Sequence, residues 1–221
     1  MRIAQPVGER GSLRWIQRAV ARHAPALEAP ILDHVGAREI EWRSPLSSDA
    51  FAEYRDGAFL ERVGIGHLRS ALADFWPARG PQWDALGITD QGDVLLVEAK
   101  AHVRELCSPG SQASEASRAR IAARLEETAR ALGARPGHAD WIEHFYQLAN
   151  RLAHLWFLRE NGVRAWLVLV NFVGDSDMAG PISDREWLAA YRIAWHVMGL
   201  GARHPLAPFL VETFPSVEGL S

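Results

Sequence analysis

Two apolar runs separated by a short polar segment form the clearest pattern along the chain. Residues 82–88 carry Trp, Ala, Leu and Ile, and residues 94–100 read Val-Leu-Leu-Val-Glu-Ala-Lys. Between them, residues 89–93 have the Thr, Asp and Gly composition of a hairpin loop. The pattern predicts two antiparallel strands. The second is apolar on both faces, which is typical of a buried central strand.

Helical spacing of apolar residues predicts most of the other elements. A Ser-Asp-Arg-Glu sequence at 183–186 is a capping box, which marks a helix start. Helical segments interrupted by glycines are expected within 48–74. The longer predicted helices cover residues 12–23, 114–132, 140–160 and 187–200.

Further strands are predicted at the Leu and Val run 165–173 and at 209–214. Three prolines make residues 24–48 an irregular connection, with a short strand at 39–42. Because helices separate strand 94–100 from the equally apolar strand 165–173, we expect a parallel crossover connection within one sheet. The predicted fold class is α/β, with a small mixed central sheet flanked by helices.

The predicted hairpin determines which side chains face one another. If it is symmetric about Gln91, residues at equal distances from Gln91 are opposed, and like charges placed this way destabilise a sheet. The opposed pairs are Ile88 with Val94, Leu86 with Leu96, and Asp84 with Glu98. Asp84 and Glu98 therefore require a compensating positive charge. A divalent cation is the simplest candidate, because Mg²⁺ is bound by one or two carboxylates.

Composition draws attention to Lys100, which follows Glu98 on the same face of the strand. Of the 24 basic residues, Lys100 is the only lysine. An ammonium is a compact charge whose pKa can be tuned, whereas a guanidinium keeps its proton. The sequence thus indicates a need for an amine here, placed to hold or deprotonate a water. The alternative interpretation is an ordinary ion pair beside solvated carboxylates.

The motif residues resemble a known family. Pro-Gln-Trp-Asp at 81–84, followed after a short hairpin by Glu-Ala-Lys at 98–100, is similar to the motif of the PD-(D/E)XK nuclease superfamily. Pro81 stands three residues before Asp84 instead of next to it. The resemblance covers residues 81–102 directly and about 45–175 by architecture, and it implies a restriction-endonuclease-like core.

The resemblance also implies a chemistry for these residues. Asp84, Glu98 and the backbone carbonyl of Ala99 would bind Mg²⁺ (or Mn²⁺), and Lys100 would assist the attacking water. Asp84, Glu98 and Lys100 are the implied catalytic residues. The implied function is metal-dependent phosphodiester hydrolysis of nucleic acid, with DNA as the expected partner. Two alternatives stay open: a noncatalytic module of the same fold that binds nucleic acid or forms a complex, and a metal-dependent enzyme acting on a small phosphorylated substrate.

Two further groups of candidates come from helices. Gln147 and Arg151 lie at i and i+4 in segment 140–160 and resemble the Gln-x-x-x-Tyr motif of exonuclease-like family members, with Arg in place of Tyr. They would contact the scissile phosphate or the metal's water shell; a solvated helix face is the alternative. Family members also supply an acidic residue before the core strands, for which Glu61 is the candidate and Glu53 the other available position.

Charge and cysteine content narrow the possible functions. A net charge of −3 is not typical of strong nonspecific DNA binding, so nucleic acid would require a local arginine patch. Cys107 is the single cysteine, which excludes an internal disulfide and a cysteine-based zinc site. The amino terminus lacks the apolar core of a signal peptide, and the longest apolar run, 165–170, is too short to span a bilayer. We expect a cytoplasmic protein with no membrane partner.

Length and hydrophobic content predict one domain over residues 1–221. Two appendages are expected, a helical segment at about 1–45 and a helix–strand extension at about 180–221. No pattern indicates the oligomeric state.

Overall fold

The structure, a computed structural model, describes residues 1–107 and 109–220. Seven strands and seven α-helices lie within these residues. Strands β1 to β7 span Arg2–Ile3, Ile40–Ser44, Glu53–Tyr54, Ala85–Thr89, Val94–Lys100, Ala165–Asn171 and Leu210–Thr213. Helices α1 to α7 span Gly11–Ala21, Pro25–Val35, Gly57–Arg62, Arg69–Phe75, Glu115–Ala131, Tyr146–Glu160 and Asp184–Val197.

A five-stranded mixed sheet forms the centre, in the order β2-β4-β5-β6-β7. β4 pairs antiparallel with both β2 and β5. β5 pairs parallel with β6, and β6 pairs parallel with β7. The predicted α/β class, the mixed sheet and the crossover between β5 and β6 are confirmed, and the predicted C-terminal strand extends the central sheet.

The register of the β4–β5 hairpin agrees with the sequence-based prediction. Leu86 pairs with Leu96, and Ile88 pairs with Val94. Gly92 in the connecting loop has φ 78°, a left-handed conformation that suits glycine. The apolar pairs therefore align the two strands as the symmetric loop requires.

The strand before the loop begins later than predicted. Residues 82–88 were expected to form it, but β4 starts at Ala85. Trp83 instead forms an isolated bridge with Tyr54, while the N–H of Asp84 donates to the Val97 carbonyl at 3.2 Å. Asp84 therefore lies at the point where the chain stops pairing with β3 and starts pairing with β5.

Helices cover both faces of the sheet, as expected for a central strand that is apolar on two sides. Val94 and Leu96 point toward α4 to α7, whereas Leu95 and Val97 point toward α1 and α2. The buried side chains of α1 and α2 are Trp15, Ile16, Ala19, Val20, Leu27 and Ile31. The N-terminal helices therefore pack on one face of the sheet, together with Val217 and Leu220 from the C-terminal segment. Among the described residues, no helix has the length and apolar character needed to cross a membrane.

The prediction of an irregular connection at 24–48 is wrong for its first half, which forms α2. Pro25 stands in the first turn, where its missing N–H has no intrahelical partner to lose. Pro30 lies inside the helix and removes one hydrogen bond. Burial of Leu27 and Ile31 against the sheet stabilises the helix in spite of that loss.

Two other boundaries differ from the sequence pattern. Within 48–74 the helices α3 and α4 are present, but so is the two-residue strand β3, whose partner β1 lies at the start of the chain. The helix predicted from 140 begins at Tyr146, because Phe145 has φ 55° and cannot continue a right-handed helix.

Ser183 precedes α7, as the capping-box sequence predicted. Its hydroxyl donates to the Glu186 side chain at 3.3 Å and makes no hydrogen bond to the backbone of the first turn.

Truncating the centre of the sheet should be costly. Leu96 is 0% exposed and packs in the core between β5 and the helices, so Leu96→Ala should lower the free energy of unfolding by about 2–5 kcal/mol. Ile182 is 80% exposed, so the control Ile182→Ala should change it by less than about 0.5 kcal/mol. Guanidinium unfolding of both variants checks this, and equal losses would contradict the assignment of β5 to the core.

Candidate functional site

The end of β5 carries two charged side chains on the face that α6 covers. Glu98 and Lys100 are only 5% and 3% exposed. Lys100 Nζ donates to Glu98 Oε1 at 2.9 Å and to Gln147 Oε1 at 3.2 Å. Glu98 and Lys100 lie on one face of β5 because they are two residues apart, and Gln147 reaches them from the first turn of α6. Three residues that the sequence singled out therefore lie together.

Arg151, one turn further along α6, completes the pairing of Glu98. Its Nε donates to Glu98 Oε2 at 2.6 Å, its Nη2 to the Gln82 carbonyl at 2.8 Å and its Nη1 to Asn150 Oδ1 at 2.8 Å. The guanidinium also lies 4.9 Å from the centre of the Trp83 ring. Arg151 is 5% exposed and donates through all three nitrogens. It therefore holds Glu98 in place, which differs from the phosphate contact expected from the sequence.

A hydrogen bond to the backbone positions Asp84. Its Oδ2 accepts the N–H of Ala99 at 2.7 Å, so the carboxylate closes the end of the β4–β5 ladder. In an extended strand the N–H and C=O of one residue point to the same side. The Ala99 carbonyl therefore points to the β4 side of β5, where the Asp84 carboxylate lies.

Glu53 is the acidic residue that the structure adds to this site. It is buried on β3, and its Oε2 accepts hydrogen bonds from Gln5 at 3.1 Å and from Gln82. The Tyr54–Trp83 bridge next to it joins β3 to the segment that leads into Asp84. The sequence offered Glu53 only as an available position, because a two-residue strand has no periodicity that marks it.

Glu61, the acidic candidate taken from the sequence, does not join the site. It lies on α3 with its side chain 56% exposed, and it pairs with Arg69 at 2.8 Å. The helix directs it to the surface, whereas the short strand before it directs Glu53 inward. The expected role of Glu61 is corrected in favour of Glu53.

These side chains line one open cleft of about 360 Å³. Asp84, Glu98, Lys100, Gln147 and Arg151 all border it, as does Ala99. The other residues at its surface are Ser12, Glu53, Gln82, Arg104, Glu105 and Pro109. The cleft therefore collects the predicted site residues, with Glu61 replaced by Glu53.

Burial and neighbouring charges act differently on the three carboxylates. Burial alone would raise the pKa of Glu98, but the charges of Arg151 and Lys100 and their hydrogen bonds outweigh it and lower the pKa. Burial raises the pKa of Asp84 well above its ordinary value, and the charges of Glu98 and Glu53 add to the rise. Burial also raises the pKa of Glu53. Glu98 is thus the carboxylate that stays ionised, and the other two are short of positive charge.

Polar residues of α5 and α6 next to the cleft are partnered or enclosed by other parts of the fold. His154 follows Arg151 on α6 but lies among the rings of Phe59, Phe75, Trp76 and Trp83. Burial lowers its pKa to about 3. On α5, Arg120 donates to the Ala73 carbonyl and Arg124 to the Phe75 carbonyl, so both guanidiniums satisfy the C-terminal end of α4.

The donor set of the cleft fits a hard cation. Within residues 1–107 and 109–220, no group of three His, Cys, Asp or Glu side chains forms a complete metal site. Mg²⁺ needs no such group, because it takes one or two carboxylates and completes its shell with water and substrate oxygens. Asp84, Glu98 and the Ala99 carbonyl supply oxygen donors, and each carboxylate oxygen has lone pairs beyond those used in its ion pairs.

Comparison with known proteins adds no assignment. No protein-family model, curated protein or solved structure matches the chain.

Removing Arg151 should leave Glu98 a buried and undercompensated charge. We expect Arg151→Met to lower the free energy of unfolding by about 3–5 kcal/mol, and Glu98→Gln in the same chain to restore part of the loss. Arg130 is 76% exposed and pairs with Glu126 at 3.8 Å, so Arg130→Met should cost less than about 1 kcal/mol. Denaturant unfolding of the three variants measures this. Similar losses from the two arginine variants would argue against a role for Arg151 in holding Glu98.

The buried His154 should make stability depend on pH. Its pKa is about 3 in the folded chain and near 6.5 in the unfolded chain, so below about pH 6.5 only the unfolded state binds the proton. Stability should therefore fall as the pH falls from about 6.5 to about 5, by up to ~1.4 kcal/mol per pH unit. His154→Phe should reduce this slope to the contribution of the other histidines, such as His204, whose pKa burial also lowers. Substitution of the exposed His67 by Phe should retain the slope. Unfolding midpoints across this range give the comparison, and identical slopes in wild type and His154→Phe would refute it.

Proposed function

We propose that the chain is a metal-dependent nuclease of the PD-(D/E)XK type, with a restriction-endonuclease-like core, that hydrolyses phosphodiester bonds of DNA. The observation that carries the proposal is the hydrogen bond between Asp84 Oδ2 and the Ala99 N–H. It holds the Asp84 carboxylate against the segment that bears Glu98 and Lys100, at the edge of one cleft. An antiparallel hairpin followed by a parallel crossover supports the core that this family requires.

Asp84, Glu98 and the Ala99 carbonyl are the groups that hold the cation in this proposal. When bound, Mg²⁺ polarises a phosphoryl oxygen and acidifies water. Glu98 contributes a lasting negative charge, because Lys100 and Arg151 lower its pKa. Glu53 adds a third carboxylate next to Asp84 and increases the attraction of the cleft for a cation.

Lys100 orients the attacking water. Its ammonium is fixed by Glu98 on one side and Gln147 on the other, so one of its three N–H bonds remains for a water in the cleft. A guanidinium at this position would have a different shape and would fill the space next to Glu98. This geometry would explain why the only lysine of the chain stands at the end of β5.

A noncatalytic nucleic-acid-binding module is the second candidate function. The observation that favours it is the double pairing of Glu98, whose two oxygens bond Lys100 and Arg151. These pairs compensate the central carboxylate without a cation, so the cleft is stable as a purely structural ionic cluster.

The test is cleavage by the full chain in Mg²⁺ or Mn²⁺ of single- and double-stranded DNA and RNA, and of a small phosphodiester. We expect cleavage of DNA that chelator abolishes, and a loss of at least about 100-fold in Lys100→Arg and in Asp84→Asn. The control Arg130→Lys exchanges the same two residue types at an exposed helix position and should keep full activity.

Calorimetry with Mn²⁺ separates binding from chemistry. Lys100→Arg should retain the ion, and Asp84→Asn should bind it more weakly. Full activity in Lys100→Arg would refute the role of the amine. A wild-type chain that binds DNA but cleaves none of the substrates would establish the noncatalytic function, and turnover of the small phosphodiester alone would identify a different substrate class.

A further inference from the structure

A second cavity, of about 500 Å³, lies beside the cleft. Its volume falls within the range of about 300–1,000 Å³ that is usual for small-molecule sites. The same three parts of the chain border both spaces: residues 53–58, residues 76–84 and helix α6. On α6, His154 of the cavity follows Arg151 of the cleft by three residues, which is about 4.5 Å along the helix axis.

The ring of Trp83 separates the two spaces. Its centre lies 4.9 Å from the Arg151 guanidinium and 6.3 Å from the centre of the His154 ring. Trp83 is fully buried, so it forms a fixed wall between them. A ligand that occupies both spaces therefore has to pass around this ring.

The floor of the cavity presents a hydrogen-bond acceptor. His154 is 1% exposed, and its Nδ1 lies 2.8 Å from the Asn150 carbonyl. A carbonyl only accepts, so Nδ1 carries the hydrogen and Nε2 has a free lone pair. Among the described residues Nε2 has no hydrogen-bond partner, and His154 borders the cavity. A Cβ on Gly80 would lie 3.3 Å from Nε2, so the glycine keeps the approach to this nitrogen open.

The cavity walls are largely apolar, and charged side chains border them. Trp76 packs on the His154 ring with 4.9 Å between ring centres, and Leu72, Ala73 and Pro77 continue the apolar surface. Arg69 borders the cavity, as does Asp56, and the Arg69 side chain is 62% exposed and pairs with Glu61. Arg120 also borders it, but its guanidinium donates to the Ala73 carbonyl. An aromatic and aliphatic slot with an acceptor at its base and an exposed guanidinium beside it suits a flat ring that donates a hydrogen bond and carries an anion.

We propose that this cavity binds the unstacked base of a nucleotide. Nε2 of His154 accepts a hydrogen bond from an amino group or ring N–H of the base, Trp76 and the aliphatic wall contact its ring, and the exposed Arg69 binds its phosphate. The base belongs either to a nucleic acid strand or to a free nucleotide. For a strand, the inference rests on the proposed function, because the next phosphate then lies toward Asp84 and Lys100.

The test is calorimetric binding in chelator, where no cleavage takes place, of the four deoxynucleoside monophosphates and of a short single strand. Ala73 is an exposed residue of α4 at the cavity, so Ala73→Leu fills the mouth without disturbing the core. His154→Phe keeps the ring and removes the acceptor. Both variants should weaken binding by about tenfold or more. Ser70→Leu adds the same side chain to an exposed position of α4 outside the cavity and should bind like wild type.

A second readout follows the ring itself. The Nε2 resonance of His154 should shift when a monophosphate is added, and deoxyribose 5-phosphate, which has no base, should leave it unchanged. Tighter binding of the strand than of any monophosphate would identify the polymer as the source of the base, and the reverse order would identify the free nucleotide.

Two results would overturn the proposal: equal affinity of Ala73→Leu and wild type, or binding of deoxyribose 5-phosphate as tight as that of the nucleotides. Either result leaves the nuclease proposal intact if wild type cleaves DNA. Conversely, wild type could cleave no substrate and yet bind nucleotides in a way that Ala73→Leu weakens. That result would refute the nuclease proposal and support the base pocket.

Discussion

Compensation of the charge on Glu98 is the constraint on which the rest of the site depends. A carboxylate at 5% exposure is tolerated only where cations and hydrogen bonds replace its water. Lys100 comes from the same strand, but Arg151 comes from α6, so the helix has to pack over the end of β5. Arg151 in turn fixes the Gln82 carbonyl, and Gln82 bonds Glu53. One buried charge thereby organises the strand, the helix and the segment that precedes β4.

The features that could be predicted from the sequence are those that depend on residues close to one another along the chain. Alternation and loop symmetry predicted the pairing of Leu86 with Leu96, and from it the meeting of Asp84 with the segment after Val97. The inclusion of Glu53 depends on β3 pairing with a strand some 50 residues earlier, for which two residues provide no local pattern. Helix α2 was missed because local proline chemistry argued against it, while burial against the sheet, which the sequence shows only indirectly, decided in its favour.

Helix α6 shows how tertiary surroundings give different roles to one polar stripe. Gln147, Arg151 and His154 are spaced by four and three residues and therefore share one face of the helix. In the fold the first two meet a carboxylate and an ammonium, whereas the third meets aromatic rings. The charge of Arg151 is stabilised by an anion, and His154 is kept neutral by its apolar surroundings. The change occurs within one turn, at the ring of Trp83.

The loop of residues 89–93 has no contact with the cleft, yet its length governs the chemistry of the cleft. Side chains of a strand alternate between faces, and seven residue pairs with β6 fix the faces of β5, so a slip of one residue between β4 and β5 would turn Asp84 away from the face that carries Glu98. A turn that is one residue longer or shorter is therefore expected to remove the Asp84 carboxylate from the cleft. Relatives that vary in the exposed residues 90–92 are expected to preserve the length of the turn, because that length aligns two carboxylates at the far end of the hairpin.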